Sequence, residues 1–265
     1  VKSFCDWQGN PEPTRTMDLD ISPCVWCIFI LTVIVLTNNS AMKNMLLLLA
    51  FLLLLSTAGI SQSKNYFSSG GEMLFSFANV KDNGQTPGSI LRWSPVFNLQ
   101  SMYNHDMSPK VGLFTGLALR NVGYIYDNFK IRGQGGAADF VVKKKFRSYN
   151  VGVPVGLKVG NLEKTFLYAG YEIELPVLYK EKTFDKGDKI DKITGWFSPR
   201  QVLFQHGFFV GFQFPHGLDL KFKYYLSEFH NQNYTDSQNN KPYDGLNSHV
   251  FYFSLSCYVF KNFDL

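Results

Sequence analysis

The sequence predicts an all-β protein: an eight-stranded antiparallel transmembrane β-barrel, preceded by a helical signal segment. Three observations predict it. Hydrophobicity alternates with period two through most of the chain after Gln62. Aromatic residues and glycines are abundant. The connections between strand-like stretches alternate between short and long.

Composition sets the class. Of 265 residues, 16% are aromatic, with 25 Phe and 14 Tyr, and there are 22 Gly. Such a mixture suits strands and turns better than packed helices. Mean hydropathy is -0.09. A polytopic helical membrane protein would be clearly more apolar, whereas a transmembrane barrel turns only every second strand residue to lipid. The net charge is +5, and the basic residues are scattered among apolar ones, which leaves no nucleic-acid footprint.

The chain divides into three parts. Residues 42–61 open a signal-peptide pattern: Lys43 as the n-region, Met45 to Leu55 as the apolar core, then Ser56, Thr57, Ala58, Gly59 and Ser61 as small residues near a cut. Cleavage after Ser61 leaves Gln62 first, with cleavage after Ala58 as the alternative. The run is short for a permanent span. Residues 1–41 carry a second apolar run, Ile21 to Leu36, and are expected to be upstream sequence outside the mature protein. A true membrane anchor is the alternative. Residues 62–265 form the barrel. Of the four cysteines, Cys5, Cys24 and Cys27 precede Met42, so the mature chain keeps Cys257 alone. Cys24 and Cys27 have C-x-x-C spacing but no βαβ context, which argues against redox or zinc chemistry.

Eight strands are expected at roughly 71–81, 89–100, 109–126, 145–160, 163–179, 201–214, 217–230 and 248–261. Four of them show the alternation plainly. Tyr149, Val151, Val153, Val155, Leu157 and Val159 oppose Ser148, Asn150, Gly152, Pro154, Gly156 and Lys158. Leu167, Ala169, Tyr171, Ile173, Leu175 and Val177 oppose Phe166, Tyr168, Gly170, Glu172 and Glu174. Leu218, Leu220, Phe222, Tyr224 and Leu226 oppose Asp219, Lys221, Lys223, Tyr225 and Ser227. Phe251, Phe253, Leu255, Cys257 and Val259 oppose Tyr252, Ser254, Ser256 and Tyr258. The polar faces hold too much Gly, Ser and Tyr, and too little Lys and Glu, for the outside of a soluble barrel. They suit the interior of an outer-membrane barrel whose apolar face meets lipid.

Connection lengths agree. Long hydrophilic loops are expected at about 127–144, 180–200 and 231–247 on the outer side. Short turns fall at Gly160–Asn161 and Pro215–His216–Gly217 on the periplasmic side, with SMYNHDMSP as a longer exception. Long outside and short inside is the barrel rule, and an even strand number puts both termini in the periplasm. Tyr124, Tyr126, Tyr179, Trp196, Phe197, Phe229, Tyr258 and Phe260 are expected at the interfacial girdles.

Several segments together resemble a known family. RWSPVFNLQSMYNHD, VGLFTGLALRNVGYIYD, KKKFRSYNVGVPVGLKVGN, LYAGYEIELPVLYKEKTF and LKFKYYLSEF are similar to the PorT-type outer-membrane β-barrel proteins of Bacteroidota, over about 70–230. The resemblance implies a small barrel without a soluble domain. One member of that type is tied to the type IX secretion system, which implies envelope or type IX secretion proteins as partners beside outer-membrane lipid. Leu265 departs from the terminal aromatic common in outer-membrane barrels, with Phe263 just before it.

The alternation assigns Glu72, Arg92, Arg120, Lys158, Glu172, Glu174, Asp219, Lys221 and Lys223 to the lumen. Eight strands leave an interior just wide enough for side chains, and buried charges must be paired or hydrogen-bonded. The expectation is a cross-linked plug, with Glu172 and Glu174 bridging Arg120, Lys158 or their neighbours. A narrow conduit or a pocket for solutes or amphiphiles is the alternative. The chain holds no G-x-S-x-G and no H-E-x-x-H. His105 and His216 fall in expected turns, and His206, His230 and His249 near the outer rim, with Ser198, Asp236 and Ser248 as conceivable partners. The GQGG stretch at 133–136 lacks a following helix, and Asp185, Asp188 and Asp191 do not fit a Ca²⁺ loop. No catalytic residue, cofactor or metal is therefore expected, and the expected role is an envelope component or an accessory of a secretion or assembly complex.

Overall fold

A computed structural model describes residues 63–131 and 140–262. These residues belong to one unit, 60–265. The expected upstream segment 1–41, the signal peptide 42–61 and the stretch 133–136 lie outside the described residues.

The described chain forms ten strands: β1 Lys64–Asp82, β2 Arg92–Ser94, β3 Leu99–Asp106, β4 Val111–Ile131, β5 Phe140–Asn161, β6 Thr165–Asp185, β7 Asp188–Trp196, β8 Gln205–Gln213, β9 Leu218–Tyr225 and β10 Leu246–Asn262. Eight of them close a ring in the order β1, β3, β4, β5, β6, β8, β9, β10, with β10 pairing back to β1. Every pairing is antiparallel, and closure leaves the ring no free edge. β2 is a stub on β1, and β7 pairs with β6 alone.

The barrel is inverted relative to a soluble one. On β5, Val151, Val153, Val155, Leu157 and Val159 are exposed, while Asn150, Gly152, Pro154, Gly156 and Lys158 are buried. β9 exposes Leu218 and Leu220 and buries Asp219, Lys221 and Lys223; β10 exposes Phe253 and Leu255 and buries Ser254 and Ser256. This outer apolar band runs over about 67–77, 111–119, 151–159, 167–177, 208–212, 218–226 and 251–257. Such a surface matches the hydrocarbon core of a bilayer, which a tilted strand crosses in about 9–11 residues.

β4, β5 and β6 are 21, 22 and 21 residues long, twice what a crossing needs. Their surplus residues continue the ring roughly 30 Å along the strand past the band. There the chemistry reverses. Lys143, Lys145 and Arg147 face out, while Tyr124, Tyr126, Phe129, Val142, Phe146 and Tyr179 are buried inside. The loops expected at 127–144 and 180–200 are in large part this extension. Residues 127–131 and 140–144 are strand, and 180–196 is mostly the β6–β7 hairpin.

Two bulges steer residues inward. Asn150 opposes Pro176 but Tyr149 opposes Leu178, so Val177 is an extra residue. The slip reverses facing beyond it and turns Tyr179, Glu181 and Thr183 inward. Pro176 fits there because it has no N–H to donate. A second slip between Tyr126 and Phe129 brings Phe129 inside. The girdle expectation is thus corrected: Tyr124, Tyr126, Tyr179 and Phe229 lie within the barrel. Tyr124 and Tyr126 share the parity of Arg120 on β4. Trp196 and Phe197 do face out, Trp196 with 69% exposure.

The second crossing also departs from expectation. Strand was expected over 89–100 and a turn over SMYNHDMSP, but Leu99–Asp106 is strand and the turn follows at Met107–Lys110. Between β2 and β3 the chain bulges outward at Pro95–Asn98, exposing Val96 and Phe97. Irregular backbone beside lipid needs internal partners. Asn98 supplies them: its Nδ2 donates to the Ser94 carbonyl at 2.9 Å, and its Oδ1 accepts from the Asn121 amide at 2.7 Å. The Asn121 side chain donates to the Val96 carbonyl at 3.2 Å.

Candidate functional site

The interior forms three tiers along the barrel. The middle tier holds most of the charges assigned to the lumen from sequence. Arg120 donates to Glu72 at 2.5 Å, to Glu172 at 3.3 Å and to Gln100 at 3.2 Å. Lys221 pairs with the other oxygen of Glu72. Lys223 bridges Glu172 at 2.6 Å and Glu174 at 2.5 Å. Asn150 and the Tyr225 hydroxyl donate to Glu174, at 2.6 and 2.7 Å. Three carboxylates therefore face three cations, contributed by β1, β4, β6 and β9. All six are buried, so each would be costly without the others.

Three expected members sit elsewhere. Arg92 is buried but meets no carboxylate in an ion pair; it clamps Asn121, through the carbonyl at 3.0 Å and Oδ1 at 2.6 Å, and so holds the 95–98 bulge. Lys158 pairs with Asp106 rather than with Glu172 or Glu174, and donates to Asn104 and the Tyr66 hydroxyl at 3.1 Å each. Lys158 stands opposite Tyr168, whereas Glu172 stands opposite Pro154, so Lys158 lies nearer the turn end. Asp219 accepts from Tyr168 at 2.8 Å and Ser256 at 2.9 Å through one oxygen. Asp106 was missed because its stretch was read as a turn; Gln100 ends an expected strand and carries no charge to single it out. Lys144 and Glu181 were missed because they lay in expected loops.

The tier on the side of the long connections is an aromatic plug. Phe229, His230 and Tyr243, from the chain between β9 and β10, fill the space inside Tyr124, Phe146 and Tyr179. His230 stacks on Tyr243 with centroids 4.4 Å apart and meets the Tyr124 hydroxyl at 3.0 Å. Burial pushes its imidazole down to about 3, a shift that nearby Lys144 and Arg200 reinforce against Glu181. Lys144 reaches Glu181 at 2.5 Å, and Tyr179 and Tyr243 donate to the same carboxylate at 2.8 and 2.7 Å. Burial would raise Glu181, but Lys144 and these bonds hold it below the usual carboxylate range.

The other histidines are peripheral. His206 meets the Tyr171 hydroxyl at 2.6 Å, and His249 lies 3.3 Å from Glu228. His105 belongs to β3, not to a turn, and meets Asn65 at 2.6 Å. His216 sits in the short turn as expected. Of the expected partners, Ser248 is buried, and the Phe229 N–H donates to its carbonyl at 2.9 Å. Among the described residues no three His, Cys, Asp or Glu converge as a metal site.

At the end carrying the short turns, a cavity of about 320 Å³ opens below the ion pairs. Arg120, Glu172 and Lys221 form its roof, and Tyr66, Met102, Phe114, Tyr168 and Phe209 line its wall.

These features define a transmembrane β-barrel with a cross-linked interior. No protein-family model matches the chain, and no curated protein matches it in sequence. Among solved structures it is similar to Ail, the attachment invasion locus protein of Yersinia pestis, solved in complex with the heparin analogue sucrose octasulfate. That match has 13% identity over 76% of this chain and 100% of Ail, with a TM-score of 0.36. Neisserial surface protein A is similar at 10% identity, covering 74% and 99%, with a TM-score of 0.33. The outer membrane protein OprG from Pseudomonas aeruginosa is similar at 11% identity, covering 76% and 97%, with a TM-score of 0.33. At these identities no residue role transfers from them.

Proposed function

We propose that the protein is a non-catalytic outer-membrane barrel, acting as an envelope component or as an accessory of a secretion or assembly complex, as the PorT-type resemblance implies. The long-connection end then faces outward and the termini lie in the periplasm. One observation carries this reading: side chains cross-link the interior at two levels, in the Arg120 network and in the aromatic cluster around His230. A barrel that passes nothing works through its surfaces and the partners they meet.

Conductance of the refolded barrel in planar bilayers tests it. The native protein should give no steady open level, and replacing Arg120, Glu172 and Lys223 together by Ala should produce leak events. A steady native conductance would overturn the proposal. The cavity at the turn end favours a second reading, a small binding barrel loaded from the terminus side. A solute or amphiphile that protects Tyr66 and Tyr168 from chemical modification would support it.

A further inference from the structure

The outward face of β5, β6 and β7 just beyond the apolar band has a chemistry that the interior does not share. Cross-strand register sorts it into rows. Tyr149, Leu178 and Trp196 form the first. Arg147, Lys180 and Thr194 form the second, and Lys145, Lys182 and Lys192 form the third. Directly opposed side chains lie about 5 Å apart at Cβ, and rows on one face lie about 7 Å apart. Five cations thus share a patch roughly 10 Å across.

Like charges set directly opposite destabilise a sheet, and the Lys145, Lys182, Lys192 row is three deep. Local carboxylates do not relieve it. Among the described residues none of these five cations is in an ion pair, and Asp127 is taken by Lys143 at 3.0 Å. Glu181 points inward to Lys144. Asp191 accepts from the Lys192 backbone at 2.7 Å. Desolvation, then Arg147, Lys189, Lys192 and Lys145, hold Lys182 below the ordinary lysine range. The cations are also placed rather than loose. Arg147 donates to the Tyr149 hydroxyl at 3.2 Å, Lys180 lies over the Tyr149 ring at 5.1 Å, and Lys145 lies over Phe184 at 4.8 Å.

Depth identifies the counter-ion. Tyr and Trp rings mark the headgroup level of a bilayer, and the cation rows lie one and two steps beyond them. We propose that Arg147, Lys180, Lys145, Lys182 and Lys192 bind the phosphate groups of a phosphorylated membrane lipid in the leaflet at the long-connection end. The proposal rests on the barrel spanning a membrane, but not on a secretion role.

The test uses the refolded barrel in a non-ionic maltoside, with lipid retention read by native mass spectrometry. A doubly phosphorylated glycolipid, its dephosphorylated counterpart and inorganic pyrophosphate are offered separately. The native protein should retain the phosphorylated lipid, and Lys145→Gln/Lys182→Gln/Lys192→Gln should weaken retention about tenfold, or by about 1.4 kcal/mol. Heat-modifiable migration on a gel, measured on the same samples, reports whether the barrel itself is intact. Arg at all three positions should keep the lipid, and Lys182→Gln alone should show a partial loss if the triple variant does not refold. Equal retention by native and Gln variants, or of the dephosphorylated lipid, overturns the assignment. Binding of pyrophosphate as tight as that of the lipid overturns it too, in favour of a soluble anion. Loss of heat-modifiability in the native protein would instead strike at the barrel.

Discussion

Replacing Arg120 by Met should be the most damaging single change in the middle tier. Arg120 touches Glu72 at 2.5 Å and Glu172 at 3.3 Å, both of them buried. The change leaves three carboxylates facing two cations, Lys221 and Lys223. Removing one partner of a buried pair costs about 3–5 kcal/mol, because the charge left behind is uncompensated. Adding Glu72→Gln restores the balance, with Glu172 and Glu174 against Lys221 and Lys223. The double variant should therefore be less destabilised than the two single losses added together, with a coupling of about 2 kcal/mol, inside the range seen for contacting residues. Urea unfolding of the barrel refolded into vesicles measures it, followed by Trp fluorescence and by heat-modifiable migration. Trp93 and Trp196 both lie on the outer surface and report lipid contact. If the single losses add to within about 0.5 kcal/mol, the residues do not act as one network.

Three further outcomes are expected. His230 is held neutral in the folded plug, about 3 against an ordinary 6.5, so the unfolded chain takes up its proton first; plug stability is full above pH 6.5 and falls by about 1.4 kcal/mol per unit below it. Hydrogen-exchange protection factors across 226–245, taken relative to the intrinsic amide rate at each pH, should fall between pH 6.5 and 5, and His230→Phe should flatten that response; unchanged native protection factors would refute the burial argument. Gly211→Ala puts a Cβ 2.2 Å from the Tyr168 ring, which must move off Asp219, so the urea midpoint should drop by the equivalent of about 1–3 kcal/mol. Asn98→Leu strips the 95–98 bulge of its caps and should cost a similar amount, about 1–3 kcal/mol, whereas the nearby surface change Phe97→Leu should cost little in the same melt.

Much of the barrel was legible because period two survives translation into a sheet. The faces of β5, β9 and β10 could be read residue by residue, and nine charges could be placed inside from parity alone. Legibility ended where parity breaks or where sequence hides depth. Val177 and the 127–128 slip reverse facing without any change in composition, so Tyr179 and Phe129 read as outward or unassigned. Hydrophilic character made 180–196 look like loop, although its outward lysines and inward Glu181 and Thr183 are the alternation of a barrel standing in water. Parity also cannot say which charges meet. Lys158 and Glu172 share a side of the sheet, yet their heights differ, and Lys158 finds Asp106 instead.

The extra residue at Val177 has a consequence for which kinds of sequence change this chain can accept. Its side chain is only partly buried, on the lipid side, and another apolar residue there would pass almost unnoticed. Deleting it would straighten the strand without turning it over: Pro176 stays inward, Leu178 takes the outward place, and Tyr179, Glu181 and Thr183 keep facing Lys144 and Tyr243. Deleting Val177 and Leu178 together is different in kind, because those three side chains would then swing outward. At this position the chain can spare one letter but not two.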